Sequence, residues 1–149
     1  MFKAPITLVC LFCCQIALAA DLKPFTTDGC SDFPDGTPSQ QSLWFDCCVR
    51  HDLAYWKGGT KAERLAADLT LQQCVVQEGE AEIADLMLAG VRVGGSPYYP
   101  TSYRWGYGWP YLRGYQALSE EERSQVRQQL QRLQDMLRDF SNQLDSVQP

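Results

Sequence analysis

The stretch Cys47-Cys48-Val49-Arg50-His51-Asp52-Leu53-Ala54-Tyr55 decides the fold. Around it Leu43, Trp44, Cys47, Cys48, His51, Ala54 and Tyr55 recur at three- and four-residue steps, the period of a helix with one buried face. The pattern predicts a helix that opens near Ser39 or Ser42 and stops at Gly58-Gly59. Thr60 and Glu63 then form a capping box for a second helix, in which Leu65, Asp68, Leu69 and Val76 keep the helical step. Two helices joined by so tight a turn pack antiparallel, so residues that face each other have position numbers with a near-constant sum. Cys47 and Cys74 sum to 121, and His51 and Asp68 to 119. A bridge between Cys47 and Cys74 therefore sets the single histidine of the chain opposite Asp68, with Asp52 beside it and Tyr55 one turn on.

Outward from this hairpin, the 149 residues carry seven cysteines and a net charge of −5. That acidic balance excludes a phosphate-tracking nucleic-acid binder, so no nucleic acid is expected as a partner. The first twenty residues read as a signal peptide: Lys3, an apolar run from Ile6 to Leu18, and the small-residue pattern Ala17-Leu18-Ala19. Export to a periplasm or beyond the cell follows. Removal of residues 1–20 leaves 12 basic against 18 acidic residues and only Cys30, Cys47, Cys48 and Cys74. In an oxidising compartment four thiols imply two disulfides. Adjacent Cys47 and Cys48 are poorly placed to bridge each other, so two connectivities remain open.

Residues 21–41 are rich in turn formers, and a third helix is predicted from about Glu80 to Val91, with Ile83, Leu86, Met87 and Gly90 on one side and Gly94-Gly95 after it. Residues 96–115 gather eight of the seventeen aromatic residues in a stretch punctuated by glycine and proline. These rings are expected to cover the helical core, membrane-interface contact being the alternative. Ser119 and Glu122 cap a long last helix whose Val126, Leu130, Leu133, Leu137, Phe140, Leu144 and Val147 form a heptad seam. Folding back over the hairpin is the first expectation for that seam, and a homodimer through the C-terminal helix the second. The organisation is thus a domain over 21–95 and an aromatic loop with C-terminal helix over 96–149, all-α throughout.

A neutral imidazole bonded to a carboxylate is a general base that can deprotonate water, and no serine or free cysteine nucleophile accompanies it. Asp52 projects about 100° round the helix from His51, so it can hold a cation without blocking the ring. Calcium takes hard oxygen ligands, many of them backbone carbonyls, which the Gly29–Gly36 loop can supply if a Cys30–Cys48 bridge staples it to this helix. Metal-assisted attack of water on an ester follows. Zinc on Cys47, Cys48 and His51 is disfavoured because zinc sites use two separated ligand pairs. Asp28, Asp32 and Asp35 lack the glutamate that an EF-hand spacing needs.

The same residues resemble the CCxxHDxCY signature of secreted phospholipases A2. The likeness extends through Asp68 and Cys74, because the family places an aspartate six residues before a bridging cysteine on its second long helix. Asp28-Gly29-Cys30-Ser31 resembles the short calcium loop of the group XII-like branch. The resemblance implies a phospholipase A2-like hairpin stapled by Cys30–Cys48 and Cys47–Cys74. It implies His51 as base, Asp68 as its partner and Tyr55 in the supporting network. It also implies Ca2+ held by Asp52 and by the carbonyls of Gly29, Ser31 and Phe33, with the Ser31 amide aiding the oxyanion. The activity implied is calcium-dependent hydrolysis of the sn-2 ester of glycerophospholipids at a membrane or lipid-aggregate surface. A further interhelix disulfide of the family is absent in matched halves: its positions are Ala54 and Ala67, which also sum to 121. Pro34 and Asp35 depart from the family's loop, and residues 21–28 show no counterpart of its N-terminal helix. The likeness covers Asp28 to Val76. The alternatives from other classes are a catalytically silent binding module and a partner-docking adaptor built on residues 96–149.

Overall fold

The structure, a computed structural model, describes residues 21–147. The expected signal segment 1–20 lies outside the described residues. Among the described residues there are four helices: α1 (Phe45–Lys57), α2 (Lys61–Gln77), α3 (Ala81–Gly94) and α4 (Glu120–Val147). Both disulfides implied by the resemblance are present. Cys47–Cys74 ties α1 to α2 with Cα atoms 5.7 Å apart, and Cys30–Cys48 pins the preceding loop to α1 at 5.1 Å.

Helix α1 starts later than the serines suggest. The Trp44 indole donates to the Pro34 carbonyl at 2.6 Å and its backbone N–H to that of Asp35, while Thr37 and Gln40 exchange backbone hydrogen bonds. Residues 39–44 are therefore used in turns, and no side chain caps the helix. Gly58 ends α1 with φ of 65°. A Cβ there would lie 2.9 Å from the Gly106 Cα, so glycine is needed both for the backbone conformation and for the close approach of the aromatic stretch. The Thr60/Glu63 capping box opens α2 as expected, and Ser119 and Glu122 make the same reciprocal pair before α4.

The core face of α2 differs from the sequence expectation. Leu65, Leu69 and Val76 are 45%, 39% and 45% exposed, whereas Arg64, Asp68, Leu71 and Val75 are buried. Asp68 must point at α1, and its neighbours at four- and three-residue steps are carried inward with it. The inner face packs Leu71 and Val75 against Trp44, Cys47 and Cys48 on one side and against Ala84 and Met87 of α3 on the other.

A second cluster joins Leu22, Trp56, Trp109 and Val126. Here the aromatic stretch covers the core as expected: Trp105 and Trp109 are each 1% exposed. Their indole N–H groups donate to the carbonyls of Gly59 and Lys57 at 2.9 and 2.8 Å, satisfying main-chain acceptors at the end of α1. Residues 21–29 form no helix; Leu22 is instead buried under Trp56.

The last helix packs back on the core over part of its length. Of its seam, Val126 and Leu130 pack on the second cluster, which includes Trp56 of α1, and Gln129 donates to the Leu22 carbonyl. Leu137, Phe140 and Leu144 further along remain more than half exposed. Among the described residues no helix is long and apolar enough to cross a membrane. Truncating Trp109 to alanine should cost about 3–5 kcal/mol in urea denaturation, while Phe140→Ala should stay within about 0.5 kcal/mol. Equal losses would place the packed end of α4 wrongly.

Candidate functional site

The site is built on one buried carboxylate. Asp68 has no exposed surface, and its Oδ1 accepts hydrogen bonds from the His51 Nε2–H at 2.9 Å and the Tyr55 hydroxyl at 2.7 Å. Its Oδ2 accepts from the Arg92 guanidinium of α3, and Arg64 Nε stands 3.8 Å away. Burial alone would raise the Asp68 carboxyl, but the donors from His51, Tyr55 and Arg92 outweigh it and hold the group below the ordinary carboxylate range. An ionised carboxylate only accepts, so Nε2 of His51 carries the proton shared with Asp68, and in the neutral ring the lone pair is that of Nδ1.

Arg64, 3% exposed, organises the surroundings. It donates to the Tyr55 hydroxyl at 3.0 Å, to the hydroxyl of Tyr115 in the aromatic stretch, and to the Val91 and Arg92 carbonyls at 2.8 and 2.9 Å. Both carbonyls belong to the C-terminal turn of α3, and that of Val91 also accepts the Gly95 N–H at 3.0 Å. Tyr55 lies edge-on to Trp105 and beside the His51 ring. Burial, then the Asp68 charge, pushes its phenol up, so it stays a donor.

His51, Asp52 and Tyr55 line a cavity of about 330 Å³ together with Gly29, Ser31 and Phe33 of the stapled loop. Its far wall is apolar: Leu71, Leu86, Met87 and Val91. His51, Asp52, Tyr55, Gly29, Ser31 and Phe33 thus border one space, with Asp68 bonded to His51 and Tyr55 behind it.

Asp52 is 7% exposed, and among the described residues no arginine or lysine forms an ion pair with it. Burial pushes its carboxyl up to about 6; the 2.7 Å hydrogen bond from the Thr27 hydroxyl and the nearby His51 oppose this, and Asp28 adds to it. A buried anion without a cationic partner suits a hard cation. The carbonyl oxygens of Gly29, Ser31 and Phe33 enter none of the hydrogen bonds among the described residues, so oxygen donors remain available beside it. No three His, Cys, Asp or Glu side chains converge on a metal position among the described residues. A site of one carboxylate and main-chain carbonyls requires no such convergence. Asp28, Asp32 and Asp35 diverge. Asp28 bonds Ser31, Asp32 bonds Tyr103, and Asp35 accepts the Cys30 N–H at 2.8 Å, which shapes the loop where it departs from the family pattern.

Sequence reasoning missed Arg64, Arg92 and Thr27. Arg64 precedes Asp68 by four residues on the same face, a signal that was there to be read. Arg92 lies 24 residues from Asp68 on another helix and gave none.

No family model, no curated protein and no solved structure matches this chain.

Because the folded-state pKa of Asp68 is lowered, its contribution to stability is present above about pH 4, the unfolded carboxylate value, and is lost as pH falls through the lower folded value. Asp68→Asn also leaves Arg92 and Arg64 without their counter-charge and should destabilise the protein by about 3 kcal/mol at pH 7. Denaturation midpoints from pH 2 to 7 should show the gap between wild type and variant closing at the acid end. A constant gap would contradict the assignment.

Proposed function

We propose that this chain is an exported, calcium-dependent, phospholipase A2-like hydrolase acting on the sn-2 ester of glycerophospholipids. One observation carries this: the His51–Asp68 pair backs an apolar-walled cavity that also receives Asp52 and the stapled loop. His51 Nδ1 takes a proton from water, and the oxygen of that water attacks the ester carbonyl carbon. Asp68 holds the ring and stabilises the imidazolium that forms, while Tyr55 and Arg92 fix the carboxylate. The proton then passes from His51 to the departing alcohol oxygen as the acyl C–O bond breaks, giving a fatty acid and a lysophospholipid. Asp52 and the carbonyls of Gly29, Ser31 and Phe33 would hold Ca2+. When bound, the ion polarises the ester carbonyl and stabilises its developing negative charge. In the resemblance the Ser31 N–H serves the same oxyanion.

Leu71, Leu86, Met87 and Val91 give the acyl chain an apolar wall and keep bulk water from the imidazole. Leu86 and Val93 of α3 are 58% and 70% exposed, which suits adsorption to a lipid surface. The disulfides accord with export. A second reading, partner docking or self-association through the far end of α4, draws support from its exposed Leu137, Phe140 and Leu144.

Fatty-acid release from phospholipid vesicles by the oxidised protein should require calcium and fall by about 10²–10⁴ in His51→Gln with the circular dichroism unchanged. Asp52→Asn should lose calcium affinity and turnover together; full activity of that variant under chelator would sink the metal part. Calcium competes with a proton at a carboxyl that titrates near 6, so its affinity is full above that pH and declines below it. Calorimetry should therefore show a calcium-induced rise in Tm at pH 8 that shrinks by pH 5 and is absent in Asp52→Asn.

A further inference from the structure

A second cleft, of about 230 Å³, opens on the other side of Asp52. Asp52, Ser31 and Tyr103 line both it and the apolar cavity, so these three form the partition between them. An ester has two halves. If its acyl chain lies in the apolar cavity and its carbonyl at His51 and Asp52, the phosphate stays at the partition, where the Ca2+ that Asp52 would hold offsets its charge, and the head group beyond it enters the second cleft.

The chemistry of the cleft is polar and one-signed. Thr26, Thr27 and Ser102 contribute hydroxyls, Asp28 a carboxylate, and Tyr103 and Tyr107 aromatic rings, with no arginine or lysine in the lining. Both tyrosines are pinned, Tyr107 by its bond to the Thr26 carbonyl and Tyr103 by the 2.8 Å bond to Asp32. Arg104, next in sequence to Tyr103, is turned away: its guanidinium donates to the Gly106 and Trp109 carbonyls and stacks near Tyr111. Asp28 and the hydroxyls of Thr26 and Ser102 offer oxygen acceptors, which fit a cation that carries N–H donors. A trimethylammonium could meet only the tyrosine rings and the charge and would leave those acceptors unpaired, and an anionic head group meets the like charge of Asp28.

Resting on the hydrolase reading above, we infer that this cleft is a head-group subsite for a primary ammonium, selecting phospholipids with an ethanolamine head group over those with choline or glycerol, with Asp28 as the specificity-determining residue.

Two measurements test it, one of which needs no turnover. The ¹⁵N-labelled oxidised protein in calcium is titrated with glycerophosphoethanolamine, glycerophosphocholine and glycerophosphoglycerol, following the amides. The ethanolamine compound should bind about fivefold tighter than either of the others, the scale of one partly exposed charge interaction. Its shifts should fall on residues 26–31 and 102–107, and Asp28→Asn should remove the difference. Equal affinities, shifts elsewhere or no binding overturn the subsite. In parallel, kcat/KM is measured on monomeric diheptanoyl lipids bearing the same three head groups, with His51→Gln as control. Calcium- and His51-dependent release at equal rates on all three overturns the subsite and leaves the hydrolase standing. Selective binding with no release in wild type supports the subsite and overturns the hydrolase.

Discussion

A carboxylate sealed from water has to be surrounded by donors, and Asp68 collects them from the two neighbouring helices. His51 and Tyr55 arrive from α1 and Arg92 from α3, while Arg64 of its own helix adds a positive charge 3.8 Å away. Removing any of them leaves charge or polarity buried without compensation, which costs more than an ordinary surface contact. The requirement fixes the rotation of α2, because the helix has to present Asp68 inward even though Leu65, Leu69 and Val76 are then left facing solvent. It also fixes where α3 ends, because Arg64 binds the last carbonyls of that helix while touching the Tyr55 hydroxyl. One buried charge therefore sets the relative placement of three helices.

The aromatic stretch solves a different problem. Helix α1 ends against Gly58-Gly59 with main-chain carbonyls to satisfy in a region closed to water, and the indoles of Trp105 and Trp109 supply the donors while filling the space. Arg104 performs the same service for the stretch itself, donating to the Gly106 and Trp109 carbonyls. An irregular segment can lie over a core in this way because its polar groups are matched one by one. Tyr115, bonded to Arg64, carries the link on to the site.

Much of the hairpin was legible in the sequence. Helical steps, the capping box and near-constant position sums set His51 opposite Asp68 once Cys47 is taken to bridge Cys74, a pairing that the resemblance implied and spacing alone left open. The remainder was less accessible for physical reasons. A buried Arg64 is invisible to a hydrophobicity pattern, so the core stripe of α2 was taken from its exposed leucines instead. Ser39 and Ser42 resemble helix caps, yet the bonds from Trp44 to Pro34 and Asp35 take precedence and delay α1. The seam of α4 shows which residues are apolar but not how much surface the core offers them, and the cluster of Leu22, Trp56 and Trp109 receives only Val126 and Leu130. Arg92 came from a helix whose register against α2 no local pattern encodes.

Arg64 has a consequence for how such a site can change. It grips the end of α3, whose Val91 walls the cavity, and with another nitrogen it grips the Tyr55 that steadies Asp68. Cavity width and imidazole orientation are therefore one mechanical part rather than two. Sliding α3 outward to widen the cavity would turn the imidazole at the same stroke. Within this scaffold, the width of the cavity is free to drift only through the size of side chains such as Leu86 and Met87, with the helix itself held still.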